Sequence, residues 1–402
     1  MPGRIAGLVL AFMALPPLAA HAEDLASFLA RFEAQAVDAG ISRDLYREVT
    51  DGLAPDPRVP DLVVSQPEFT TPIWTYLDAR VSDVRIAAGR KAVDKNRPLL
   101  DAVGEAFGVD PFVLAAIWGV ESDFGAILGN AKLIRPILPS LATLATQHRG
   151  RWQEDEAELI AALRLIQDHG WTGQTLVGSW AGAVGHTQLI VSAILAHGTD
   201  GDGDGRVDPH ASLADALATT AMFLKGLGYR TGSDWGYEVT VPQDFDLLLA
   251  SRETLRPVRF FAERGVARVA GRQFRDPDEE VFLYLPAGKD GPAFLMTGNY
   301  LVLKGYNFSD SYALSVAHLA DRLKGAGPFV AEWPSEAKLP SLKQREAIQE
   351  ALATLGYYDG AVDGRIGPIT QRAYALFQAD NDLPADGFIT SVSAEVLAAA
   401  LP

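Results

Sequence analysis

The chain has no cysteine, and that absence alone removes several possibilities. Disulfides and thiolate metal sites are excluded. So is a lipid anchor on a mature N-terminal cysteine. Positive charge is also scarce: 35 Lys and Arg stand against 51 Asp and Glu, a formal net charge of −16. Nucleic acid is therefore a poor partner, because phosphate binding needs clustered Lys and Arg. Acidity by itself names no substrate. The apolar run at the N-terminus, Ile5 to Leu18, is short for a bilayer and broken by Pro16 and Pro17. With Arg4 before it and Ala20-His21-Ala22 after it, residues 1–22 read as a secretory signal peptide, with an uncleaved anchor as the alternative. The expectation is a soluble exported protein with no transmembrane anchor. Its 402 residues leave length for two domains and a large core.

The most informative stretch runs from Asp110 to Gly125. Asp110 fits an N-cap and Pro111 the first helical position, where a missing N–H costs nothing. From Phe112 to Val120 there is no polar side chain, the pattern of a helix buried all round. Leu114, Ile117, Trp118 and Glu121 fall at i, i+3, i+4 and i+7 on one face, so a lone carboxylate ends an apolar face. Burial and the negative end of the helix dipole both disfavour an ionised carboxylate there. A carboxylic acid kept protonated is what protonation of a glycosidic oxygen requires. A boundary Glu in a helix cap gives the same local pattern.

Gly178 to Gln188 is the second such stretch, with three glycines and three small residues among Ser179, Trp180, His186 and Gln188. Small residues let backbones, or a ligand, approach closely. Ser179, His186 and Gln188 supply hydrogen-bonding groups suited to a hydroxyl- and amide-rich ligand such as an N-acetyl sugar. Tight helix packing explains the small residues equally well.

Taken in order, Trp118-Gly-Val-Glu121-Ser-x-Phe124-Gly125 and Ser179-Trp-Ala-Gly-Ala-x-Gly-x-x-Gln188 resemble the membrane-bound lytic transglycosylase B family. Pro292, Asn299-Tyr300 and Tyr306-Asn307-x-Ser309-x-x-Tyr312-Ala313 agree with it. The resemblance spans roughly residues 24–324. It implies a mainly α (α+β), lysozyme-like catalytic domain acting on peptidoglycan glycan strands in the periplasm, with Glu121 as catalytic acid and base. Tyr76, Ser179, Gln188, Tyr306, Asn307 and Tyr312 would then line the sugar groove. His186 stands at a variable position of the motif and is left out of that site. Two departures bear on groove shape. Leu189-Ile190-Val191-Ser192 replaces the usual Phe-Met-Pro-Ser, and Ala221-Met222-Phe223-Leu224 stands where Ala-Asn-Tyr-Leu is usual.

Coarse patterning fills in the rest. Helices are expected over Leu25–Ala39, from Thr71 towards Gly89, over Leu133–Thr146, over Trp152–Asp168 and from Ser309 to Lys324. Val281–Leu285 and Pro292–Met296 flank Gly288–Gly291, a hairpin inside a small inserted β-sheet. Asp200, Asp202, Asp204, Arg206 (through its carbonyl) and Asp208 match the first positions of a calcium loop, but position 12, normally a bidentate Glu, is Ala211. A weak structural Ca²⁺ site and a plain Asp-Gly turn both satisfy that pattern; the chemistry itself requires no cofactor. The expected organisation is a signal peptide (1–22), a catalytic domain (23–327), a linker (328–340) and a small three-helix domain (341–402). In that last unit Asp363-Gly-Arg-Ile366 recurs as Asp386-Gly-Phe-Ile389, and it resembles a peptidoglycan-binding domain.

A conventional glycosidase needs two carboxylates across the scissile bond. The nearest candidate, Asp123, lies two residues from Glu121 and points to another helix face. One acid suffices if the substrate's own C6 hydroxyl attacks C1, as the resemblance implies, giving 1,6-anhydromuramic ends without water. A goose-type hydrolytic lysozyme and a non-catalytic wall-binding protein are the competing readings.

Overall fold

Short polar residues at the helix starts set much of the architecture. The structure is a computed structural model describing residues 23–64, 71–147 and 152–401, so the proposed signal peptide lies outside the described residues. Asp24, Ser42, Ser82, Asp110, Ser212, Thr297, Ser309 and Ser341 each accept a backbone N–H in the first turn of the helix that follows. One of these caps corrects an expectation. The helix expected from Thr71 towards Gly89 is two helices, Ile73–Arg80 and Asp83–Lys95, because Ser82 Oγ accepts the Arg85 N–H at 3.3 Å and starts the chain afresh. A second correction concerns Leu133–Thr146. Only Leu138–Thr146 is helical, while Arg135–Pro136 pairs antiparallel with Val177–Gly178. Pro136 disfavours helical backbone at Arg135, and Pro139 is tolerated only in the first helical turn.

Two helical cores lie side by side. The first gathers the helices Ile73–Arg80, Asp83–Lys95, Arg97–Phe107, Pro111–Ser122, Leu213–Gly226, Gly298–Asn307 and Asp310–Leu323 around Leu114, Ile117, Trp118, Tyr300, Tyr312 and Leu319. The second packs Leu25–Asp38, Leu138–Thr146, Trp152–His169 and Val191–His197 around Phe28, Phe32, Leu141 and Leu163. Tyr306 packs against both. The seam between the cores is where the two sequence motifs meet.

The inserted sheet is antiparallel throughout, in the order Arg256–Pro257, Glu280–Tyr284, Ala293–Met296, Gly236–Thr240, Ala267–Arg268. Its expected hairpin is present, with Leu283 opposite Leu295. Alternation splits its side chains between two cores: Phe282, Phe294 and Met296 face the first helical core, while Val281, Leu283 and Leu295 build a separate one with Phe245 and Phe261.

The C-terminal helices Leu342–Thr354, Pro368–Asp380 and Ser393–Ala400 enclose their own core of Ile348, Leu352, Phe377 and Leu397. The repeated Asp-Gly turns are matched by repeated supports. Gln349 Oε1 accepts the Gly364 N–H at 2.7 Å, and Gln378 Oε1 accepts the Gly387 N–H at 2.8 Å. The stretch read as a linker is strapped to the body instead of hanging free. Glu238 accepts the N–H groups of Val330 and Ala331, both at 2.8 Å, Phe329 stacks on His318, and Trp333 tilts over Trp74 at 6.4 Å. Among the described residues no single helix is long and apolar enough to cross a membrane.

Candidate active site

The Pro111–Ser122 helix carries Glu121 one residue from its C-terminal end. Asp110 caps its start, accepting the Phe112 N–H at 2.8 Å, and is itself held by Lys324 Nζ at 2.6 Å. Val113 to Val120 are buried, whereas Glu121 is half-buried, so the helix is anchored along its length and opens only at the carboxylate. The chain then turns sharply through Asp123, Phe124 and Gly125, at φ of 51°, 57° and 86°. The turn folds the Phe124 ring back over the helix, edge-on to Trp118 at 5.5 Å. Gly119 makes room for it: a Cβ there would lie 2.4 Å from Phe124 Cζ. Hence the helix ends where Glu121 leaves it.

Tyrosines surround the carboxylate. The phenol of Tyr312 is buried and its pKa is pushed well above the usual value, first by burial and then by the charge of Glu121, with Tyr306 and Tyr76 also acting on it. Tyr306 is raised by burial and by the same Glu121 charge. The rings of Tyr306 and Tyr312 stack with centroids 6.0 Å apart and 7° between planes. Tyr76, from the Ile73–Arg80 helix, is buried beneath the Arg80 guanidinium, 5.2 Å from its ring centroid. Two successive helices thus set Tyr306 and Tyr312 beside the Glu121 carboxylate, and Tyr76, from a helix far earlier in the chain, acts on Tyr312. Asp123 does not join them. It is exposed and paired with Arg85 Nε at 3.3 Å.

The second motif is an irregular loop, and its glycines allow close packing: a Cβ on Gly182 would lie 2.5 Å from Leu141 Cδ2 of the Leu138–Thr146 helix, and one on Gly185 2.1 Å from Pro209 O. Ser179 opens a turn in which its Oγ accepts the Ala183 N–H at 3.2 Å and its N–H bonds Ala183 O at 2.8 Å. Val184 bridges Leu189, and Gln188 sits at φ 48° with Nε2 donating to Gly185 O at 2.8 Å. Tyr306 Oη donates to Thr187 O at 2.6 Å, tying this loop to the tyrosines. Asn307, half-buried, ends the Gly298–Asn307 helix beside Phe308, a left-handed residue 77% exposed.

His186, left out of the sequence-derived site, is the joint between the motifs. Trp118 Nε1 donates to His186 Nδ1 at 3.1 Å and Ser122 Oγ donates to its carbonyl at 2.6 Å. Its own N–H reaches Pro209 O at 2.9 Å. Burial, with the nearby His210 adding to it, holds the imidazole pKa down to about 4. No spacing rule marks such a residue, because its partners lie 64 and 68 positions away.

The acidic loop lies outside this cluster. Carboxylate oxygens of Asp200, Asp202 and Asp204 come within 4.8 Å of one another. Asp200 accepts the N–H groups of Gly203 at 2.7 Å and Gly205 at 2.8 Å, which shapes the loop around its first position. Asp208 turns one oxygen to the His210 and Ala211 N–H groups, both at 3.0 Å. Buried Asp215 ties the loop's two ends through Gly201 N at 2.8 Å and Asp208 N at 2.7 Å. Three converging carboxylates and no bidentate Glu suit a hard cation held weakly.

The transglycosylase SLT domain model matches residues 24–321, and a peptidoglycan binding domain model matches residues 341–397. The membrane-bound lytic murein transglycosylase B of Escherichia coli K12 is 24% identical over 273 residues, covering 66% of this chain and 71% of that protein. SltB3 from Pseudomonas aeruginosa, solved in complex with NAG-anhNAM-pentapeptide, is 37% identical with a TM-score of 0.86, covering 94% of this chain and all of that one. Escherichia coli Slt35, solved in complex with calcium, shares the fold at 21% identity and a TM-score of 0.62, over 75% of this chain and 92% of that one. Both motif loops and the helices that carry them fall inside the first match, and the chain belongs to the transglycosylase SLT domain family, lytic transglycosylases that act on peptidoglycan.

Proposed function

We propose that Glu121 is the single general acid and base of this lytic transglycosylase, cleaving the β-1,4 bond between N-acetylmuramic acid and N-acetylglucosamine. The observation that carries this is the half-buried Glu121 carboxylate acting on Tyr306 and Tyr312 while Asp123 is drawn off to Arg85. The protonated carboxyl gives its proton to the bridging oxygen as the C1–O bond breaks. The muramic C6 hydroxyl then bonds to C1 and returns its proton to Glu121. Bonds and protons balance without water, and the product ends in 1,6-anhydromuramic acid. Tyr76, Tyr306 and Tyr312 wall the acid, while Ser179, Gln188 and Asn307 offer polar groups to the sugar.

Reaction in ¹⁸O-labelled water followed by mass spectrometry of digested peptidoglycan tests this. Anhydro ends without label are expected. Labelled reducing ends would make the chain a hydrolytic lysozyme, and intact glycan would leave only a wall-binding protein.

The unit at 341–397 would hold the enzyme on insoluble wall, and residues 1–22 would direct its export to the periplasm and then be cleaved off. Asp200, Asp202, Asp204, the Arg206 carbonyl and Asp208 would hold Ca²⁺ as a structural ion, supported by the converging carboxylates. With Ala211 at position 12 the affinity should be on the order of 10⁻⁴–10⁻³ M. Melting temperature should rise with calcium by mass action, and Asp204→Ala should abolish the rise. A melting curve indifferent to calcium would mean a plain turn.

A further inference from the structure

We propose that His186 is a positioning residue for Glu121: its neutral imidazole, held as the Nε2–H tautomer, pins the last turn of the Pro111–Ser122 helix to the Ser179–Gln188 loop. This rests on the reading of Glu121 as the acid and base.

The geometry leaves one tautomer. An indole N–H only donates, so the 3.1 Å contact from Trp118 Nε1 makes His186 Nδ1 an acceptor and places the ring proton on Nε2. The pKa near 4, set first by burial, keeps the ring neutral at ordinary pH. Two anchors then bracket the carboxylate. Trp118, three residues before Glu121, is bonded to the His186 ring, and Ser122, one residue after it, is bonded to the His186 carbonyl at 2.6 Å. Ser122 Oγ also accepts the Gly125 N–H at 3.0 Å, so one hydroxyl joins the helix end, the turn beyond it and the facing loop.

A last helical turn needs such anchors. Its final carbonyls lack intrahelical partners and the turn frays readily. An acid on it must nevertheless hold its place within roughly 0.5 Å to act in a transition state. Tertiary bonds on both sides of Glu121 fix the helix rotation that the backbone leaves loose. His186 is in turn held from behind by Pro209 O at 2.9 Å and by its edge-on contact with Trp118 at 5.9 Å.

His186→Phe keeps a ring and removes the acceptor, whereas His186→Asn returns an acceptor close to the Nδ1 position. The Phe variant should lose on the order of 10²-fold in kcat, the scale of a misplaced catalytic group, with KM within about twofold. The Asn variant should regain most of it. Trp118→Phe deletes the same bond from the other side, so the pair of Phe changes should cost little more than the worse single. Independently of activity, ¹⁵N spectra of the ring at neutral pH should show protonated Nε2 and unprotonated Nδ1 in the full chain. Unchanged kcat in His186→Phe, a rise in KM alone, or an Nδ1–H tautomer would each overturn the proposal. If His186→Phe does not fold, Trp118→Phe and the spectra carry the test. An inactive wild-type chain would sink the catalytic reading, while the tautomer still decides whether His186 makes this anchor.

Discussion

Around Glu121 side-chain-bearing residues as well as glycines take up left-handed backbone, whereas the two repeated Asp-Gly turns of the C-terminal unit use glycine. Of the six non-glycine residues at positive φ among the described residues, Asp123, Phe124, Gln188 and Phe308 all belong to the motif stretches that surround the acid. The two repeated turns of the C-terminal unit use Gly364 at φ 67° and Gly387 at φ 68°. Left-handed backbone costs a side-chain-bearing residue about 1–2 kcal/mol, and glycine almost nothing. The acid's neighbourhood accepts that strain because three of the side chains are needed there. Phe124 packs on Trp118, Gln188 bonds Gly185 O, and Asp123 pairs with Arg85. The C-terminal turns need nothing from that side chain, since buried Gln349 and Gln378 grip the backbone itself. Strain thus concentrates at the site, as is common where geometry serves chemistry.

The sharpest test of that contrast removes the acid without disturbing its setting. Glu121→Gln keeps shape and hydrogen-bonding reach but cannot cycle a proton, so turnover should fall roughly 10²–10⁴-fold with the melting temperature nearly unchanged. A variant with near wild-type turnover would show that the strained turns serve something else.

Next in size is Gly119→Ala. Its Cβ would meet the Phe124 ring at 2.4 Å, an overpacking that should cost about 1–3 kcal/mol in denaturant unfolding. Adding Phe124→Ala should make the two losses non-additive, because the clash disappears with the ring. Strict additivity would separate Gly119 from the turn.

In the relaxed region, Gln349→Leu leaves the Asp363 and Gly364 N–H groups without the oxygen that accepts them at 3.0 and 2.7 Å. About 1–3 kcal/mol of stability should be lost from the C-terminal unit. Cleavage of soluble glycan fragments should persist, and its loss would mean that the two regions are not independent.

The smallest effect is expected where strain has no visible return inside the protein. Phe308 is left-handed, 77% exposed and caps the C-terminus of the Gly298–Asn307 helix. Phe308→Gly suits that cap, and after the entropy cost of glycine it should raise stability by up to about 1 kcal/mol, read as a higher midpoint in urea. A fall in stability would show that the Phe308 ring has a packing role after all.

Local chemistry made much of this readable in advance. Asp110 and Pro111 start the acid's helix as their side chains dictate, and Ser309 and Ser341 do the same for theirs. The apolar run Val281–Leu285, followed by the Gly288–Gly291 turn, reads as a strand, and the run is continuous because both faces of the sheet are buried. The motif order also singled out Tyr306, Tyr312 and Glu121, which the fold brings together. Two helix boundaries were misplaced, at Ser82 and before Pro139, where a cap and two prolines outweighed a continuous helical pattern.

What the sequence alone determined, then, is what depends on neighbours within a few residues: caps, faces, turns, and a lone acid at the end of an apolar helix. Tertiary structure decided the rest. Which group the Asp123 carboxylate meets was decided by Arg85, from another helix. The hold on Val330, Ala331 and Trp333 within the stretch read as a linker comes from Glu238 on a strand and Trp74 on a distant helix. His186 became a joint only when the two motif loops met, because a hydrogen bond spanning 68 residues has a donor and an acceptor in the sequence but no distance until the chain is folded.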